Sequence, residues 1–217
     1  MQPLRILSVN VANPRTVRWK GKAVSTGIFK QPVPGRRMLR RLNLDGDRQA
    51  DLSVHGGPEK AVYGYPSEHY ELWRQELAMD LGWGAFGENL TLAGATENTV
   101  SVGDRYRIGR AVVMVTQPRV PCFKLAIKFG RDDIIKHFLE SGRSGFYFSV
   151  VEEGELGEGD EMELVEQEEG SLSIAEVNHL YLLDKKDGEL MERAVRLQAL
   201  PANWRAHFAE RLHDMGR

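Results

Sequence analysis

Up to about residue 170 the chain alternates apolar and polar positions over short stretches broken by Gly and Pro, the pattern of a barrel or sandwich; after that the period becomes helical. Leu4 to Val11 reads as a strand, and Lys22 to Phe29 as a second before Pro32-Val33-Pro34-Gly35 interrupts it. Met38 to Leu44 is expected as a third, ending at the Asp45-Gly46-Asp47 turn with Leu42 and Leu44 on one face. Ala61 to Tyr65 is a short apolar strand, and Pro66-Ser67 opens a helix to about Leu81 on the spacing of Tyr70, Trp73, Leu77 and Leu81. Strands follow at Asn89 to Leu92, Asp104 to Ile108 and Ala111 to Thr116, the last two joined as a hairpin at Gly109-Arg110. A helix over Asp132 to Glu140, stopped by Gly142, separates these from strands at Phe146 to Val151 and Glu161 to Val165, which a polar turn links.

From Ser171 three short helices are predicted. Ser173 and Glu176 form a capping box, Asp187 caps the second helix, and Pro201 precedes a third carrying Trp204, Phe208 and Leu212. Fewer than about fifty residues make a marginal core, so this bundle should pack on the β part or on a partner subunit.

Composition narrows the class. No apolar run approaches a membrane span, and Met1-Gln2-Pro3-Leu4-Arg5 lacks a secretory apolar region, so the expected location is the cytoplasm, without membrane association. One cysteine excludes an internal disulfide, a four-cysteine zinc site and an iron–sulfur cluster built from this chain alone. Residues 1–44 hold ten Lys or Arg and no acid, so a net charge of −2 leaves −12 on the remainder; residues 152–169 carry ten acids and no base. Such segregation is either an electropositive site for an anion or two solvated faces. Sparse aromatic interleaving and the mixed charge of Glu189, Glu192, Arg193 and Arg196 argue against direct nucleic-acid binding, including a helix-turn-helix reading of the tail.

The lone thiol, Cys122, lies in Gln117-Pro118-Arg119-Val120-Pro121-Cys122-Phe123-Lys124-Leu125. Two prolines fix its backbone and two cations favour a thiolate; the alternative is a small packed hydrophobe. His55-Gly56-Gly57-Pro58-Glu59-Lys60 combines paired glycines, which bring backbone amides close to a ligand, with polar and cationic side chains suited to phosphate, although it could equally be a plain turn. Asn89, in Phe86-Gly87-Glu88-Asn89-Leu90, could hold a heterocycle edge or cap a turn. Asp45, Asp47 and Asp51 lack the glycine and glutamate of a calcium loop, and the six histidines show no zinc pattern.

In this order, with Gly103-Asp104 between them, these motifs resemble those of MOSC domains, named for the C-terminal domain of molybdenum cofactor sulfurase. The chain is most similar to YiiM-type stand-alone members. The resemblance implies a mainly β fold: a MOSC β-barrel over 1–168 with inserted helices near 67–81 and 132–140, then a three-helix C-terminal segment over 171–217. It further implies the molybdenum cofactor (Mo-molybdopterin) and two-electron reduction of N-hydroxylated bases or nucleosides such as 6-hydroxylaminopurine, in detoxification of mutagenic base analogues. Cys122 would be catalytic and the protein ligand to molybdenum, with His55, Gly56, Gly57, Lys60, Asn89, Arg119 and Lys124 around the cofactor. With no iron–sulfur ligands and no dinucleotide fingerprint, electrons should come from a separate reductase. A homodimer is compatible with this reading. The competing reading is a carrier of cofactor or persulfide sulfur on Cys122.

Overall fold

The structure, a computed structural model, describes residues 3–50, 56–182 and 186–216. Its strands are β1 (Arg5–Val11), β2 (Arg15–Trp19), β3 (Lys22–Thr26), β4 (Gln31–Pro32), β5 (Arg37–Leu39), β6 (Val62–Pro66), β7 (Leu90–Ala93), β8 (Arg105–Ile108), β9 (Ala111–Pro118), β10 (Phe146–Glu152), β11 (Gly154–Leu156) and β12 (Met162–Glu166). Its helices are α1 (Glu68–Leu77), α2 (Phe123–Phe129), α3 (Ile134–Ser141), α4 (Ile174–Leu182), α5 (Gly188–Arg196) and α6 (Ala202–Asp214).

Eight strands form one mixed sheet in the order β12-β8-β9-β10-β6-β7-β1-β4, in which only β6 and β7 run parallel. A bridge between Arg5 and Glu161, with Met162 N–H donating to Leu4 C=O at 2.8 Å, brings the first strand to the start of β12. The sheet-dominated class with helical additions is therefore present, while among the described residues the ladder runs from β12 to β4, and no strand there closes it into the expected barrel.

Strand β6 is buried at every position because it separates two cores. Its alternation sends Val62 into the core that the sheet shares with α4, α5 and α6, and Tyr63 and Tyr65 into an aromatic core under α1, α2 and α3. Gly64 is required there: a Cβ would lie 2.9 Å from both Leu92 and Phe148 side-chain carbons. Tyr65 stacks on Phe86 at 4.5 Å and accepts the Trp73 indole N–H at 2.6 Å, so the inserted helices are keyed to the sheet by ring geometry as well as area. The C-terminal helices contribute Leu180, Met191 and Phe208 to the main core rather than making one of their own, which is how so short a bundle is stabilised.

Several expectations change. The strand expected over 38–44 is only Arg37–Leu39; Arg40 N–H bonds Asn43 C=O at 2.8 Å and the chain reverses, leaving Leu42 54% exposed and Leu44 fully buried. The strand expected over 22–29 ends at Thr26, and it is the second arm of a hairpin with β2, turned by Lys20 and Gly21, both at positive φ. The first inserted helix stops at Leu77, where Ala78 adopts a left-handed cap, although Leu81 remains buried from the following loop. The second is Ile134–Ser141, and the seven-residue α2, unanticipated, begins directly after Cys122. Inside the polar link before β12 lies β11, paired with β5. The two capping predictions hold: Ser173 Oγ accepts Glu176 N–H while Glu176 accepts from Ser173 N–H, and Asp187 accepts Leu190 N–H.

The charge segregation resolves in part into mutual pairing. Arg36 makes two hydrogen bonds to Asp160, at 2.9 and 2.8 Å, and a third to Glu155 C=O, while Glu153 accepts the Arg41 N–H. The β5–β11 ladder thus sets part of the basic N-terminal segment against the acidic one.

Candidate active site

Strand β9 carries the chain through Gln117 and Pro118 to Cys122, which is half-buried and extended (φ −122°, ψ 171°) ahead of α2. Arg119 N–H is held by Gly145 C=O at 3.3 Å, so the loop is tied to the segment entering β10. The glycine loop arrives from the other side. Gly57, at φ 101°, starts a 3₁₀ turn over Pro58–Lys60, and Lys60 N–H closes it on Gly57 C=O. Thr116 Oγ1 fixes the turn to the sheet by bonding the carbonyls of Glu59 (2.7 Å) and Tyr147 (3.1 Å).

One cavity gathers Lys60, Asn89, Arg119, Cys122 and Lys124 on its wall, with about 670 Å³ between atoms when its open mouth is counted. Gly56 and Gly57 do not line it, and His55 lies outside the described residues. The wall also includes Lys30, Asp47, Arg48, Tyr63 and Tyr147. Of these, Asp47 was marked by its turn with Asp45 and Gly46, and Tyr63 by an alternation with Gly64 and Tyr65 that read simply as a strand; Lys30, Arg48 and Tyr147 stood in no recognisable motif.

Arg119 is one of two buried cations of the site. Its guanidinium carbon is 4.9 Å from the Tyr63 ring centroid and 5.3 Å from that of Phe138, and its Nη1 has no hydrogen-bond partner among the described residues. Burial alone would depress this cation, but Tyr63, Tyr147 and Cys122 around it favour the charged form and hold its pKa above the ordinary arginine value. Lys30 is 8% exposed and ion-paired with Asp47; burial lowers its pKa against the opposing pull of that carboxylate. Asp47 also accepts from Asn89 Nδ2 at 3.0 Å. Asn89 Oδ1 in turn accepts Tyr63 N–H, so this side chain, although on the wall, spends its polar groups aligning Asp47 and β6.

A second cleft borders the same loop. Its wall shares Lys60, Val120, Cys122 and Tyr147 with the first cavity and adds Tyr181, Trp204 and His207 from the C-terminal helices. The thiol thus stands at the junction of a cation-lined cavity and an aromatic one.

Residues 51–163 match the family model described as the MOSC domain, more than half of the chain, and residues 172–214 match that of the YiiM-like, 3-alpha helix domain. The chain belongs to the MOSC domain family. Its YiiM-like organisation recurs in the crystal structure of YiiM from Geobacillus stearothermophilus, which superposes with a TM-score of 0.83 at 39% identity over 97% of this chain and 100% of that one. The uncharacterized protein YflK of Bacillus subtilis (strain 168) is 45% identical over 206 residues, 95% of this chain and 93% of its own. A protein named reductase from Gibberella moniliformis (strain M3125 / FGSC 7600) is 33% identical over 164 residues, 74% of this chain but 29% of its own length.

MOSC domains are associated with the molybdenum cofactor, and the residues present suit that group. A phosphate-bearing pterin requires cations, which Lys60 and Lys124 supply on the wall, and a donor, which Arg119 Nη1, without a partner among the described residues, offers. A metal already held by dithiolene sulfurs needs little more from the protein than one soft donor, and Cys122 is the only thiol. Among the described residues no group of three or more His, Cys, Asp or Glu could hold a metal, so a site built wholly from side chains has no counterpart there.

Proposed function

We propose that this MOSC protein is a molybdenum-cofactor-dependent reductase of N-hydroxylated compounds such as 6-hydroxylaminopurine. The observation that carries the reading is the position of Cys122, on the wall of both a cation-lined cavity and an aromatic cleft. The family and the reductase name borne by a relative support a redox role.

The cofactor, when bound, supplies the two-electron redox chemistry and the open metal position. Cys122 would be its protein ligand, and Lys60, Lys124 and Arg119 would meet the anionic pterin. Tyr63 and Phe138 keep the Arg119 plane fixed beside the thiol, and the bonds from Thr116 keep the Lys60 turn against β9. The reaction breaks the N–O bond: the N-hydroxyl compound takes up two electrons and two protons and leaves as amine and water. The electrons come from a separate reductase protein, and the setting we infer is the cytoplasm.

The test is to purify the protein from a cofactor-competent host, quantify molybdenum and pterin, and assay reduction of 6-hydroxylaminopurine with an artificial electron donor. Stoichiometric molybdenum with turnover supports the reading. Bound cofactor with no turnover, under a donor that works on a control reductase, replaces it with the carrier.

A further inference from the structure

We infer that the cleft between the cysteine loop and the C-terminal helices seats the planar part of the substrate, with Tyr181 and His207 as its stacking surface. This rests on the reductase reading and assigns part of the substrate site to the helical segment.

The three rings form one continuous wall. Tyr181 lies 4.7 Å from Trp204 and 5.3 Å from His207, centroid to centroid, at interplanar angles of 45° and 53°. Trp204 is its foundation: 6% exposed, backed by Phe208, and fixed by donating its indole N–H to Gln117 Oε1 on β9. Gln117 is itself buried, lines the cleft, and leaves Nε2 without a partner among the described residues. Tyr181 and His207, by contrast, are only half-buried, so ring surface remains open on the cleft side. Pure core packing would bury these faces as it buries Phe208.

The remaining chemistry selects the ligand. Asn203, exposed at the first turn of α6, offers a donor and an acceptor to a heterocycle edge. The wall includes Lys60 and, among the described residues, no carboxylate, which disfavours a cationic ligand and suits a planar one without positive charge. About 990 Å³ lies between its atoms with the mouth counted, within the range of small-molecule sites. Because Cys122 belongs to both walls, a base stacked on Tyr181 occupies the same cleft as the thiol.

The test is direct binding of 6-hydroxylaminopurine by calorimetry, which needs no turnover. Base–aromatic stacking is worth about 1–3 kcal/mol, so Tyr181→Ala should weaken binding roughly five- to 150-fold, and Tyr181→Phe should restore it. Equal affinity in Tyr181→Ala, or no binding by the wild type, overturns the inference. Should Tyr181→Ala fail to fold, nuclear Overhauser contacts in the wild-type protein decide: contacts from bound purine to Tyr181 and His207 ring protons are expected, and contacts confined to other residues overturn the inference. Tyr181-dependent binding in a protein without molybdenum or turnover would remove the reductase reading alone. An active, molybdenum-loaded protein whose binding ignores Tyr181 would remove this inference alone.

Discussion

The Arg119 guanidinium lies over the Tyr63 ring, 4.9 Å from its centroid, and so the cation beside Cys122 is held by an aromatic face rather than by a carboxylate. A carboxylate partner would neutralise it; the ring leaves its charge available to an anion while paying part of the burial cost. With a second ring contact to Phe138, Arg119→Ala should destabilise the fold by about 2–3 kcal/mol in urea unfolding. Arg119→Lys should recover only part of this, because an ammonium lacks the planar face. Full recovery would mean that charge alone matters at this position.

Lys60→Ala should leave the fold intact and weaken retention of the cofactor. A charge-assisted hydrogen bond contributes about 1.5–3 kcal/mol, so the rate of cofactor loss on dialysis should rise roughly ten- to a hundredfold. Unchanged retention would remove Lys60 from the phosphate site.

Trp204→Phe tests how the helical segment is attached. It deletes the indole N–H that Gln117 accepts and leaves a buried amide with no partner on either atom among the described residues. The expected cost is about 1–3 kcal/mol, seen as a lower urea midpoint with an unchanged slope.

Asp104 gives a pH signature. Burial raises its carboxyl above the ordinary value of 3.8, against the Ser101 N–H and the Tyr106 hydroxyl that favour the charged form. A raised carboxyl pKa means that the folded state binds the proton more tightly than the unfolded one. Its contribution is fully present below the unfolded value and is lost as pH rises through the folded value. Asp104→Asn should therefore flatten the dependence of thermal midpoint on pH just above 3.8, with a higher midpoint than wild type once Asp104 ionises.

Much of this was legible in the sequence where the signal is local. The capping residues Ser173, Glu176 and Asp187 act as their spacing indicates, and Cys122, Lys60, Arg119 and Lys124 meet at one cavity. What was hidden depends on tertiary pairing. Strands β2 and β11 are polar, and α2 follows two prolines, so neither periodicity nor composition marked them. Lys30 and Tyr147 reach the cavity because the Thr26–Lys30 segment and β10 happen to converge there. The aromatic wall at Tyr181 and Trp204 read as bundle core, since helical spacing cannot tell a ring facing a core from one facing a cleft.

Cys122→Ser, expressed and loaded beside the wild type, decides whether Cys122 binds the metal of an N-hydroxyl reductase. The variant should keep the same thermal midpoint and retain pterin, with turnover of 6-hydroxylaminopurine reduced to background. Full turnover in Cys122→Ser would contradict metal binding by Cys122.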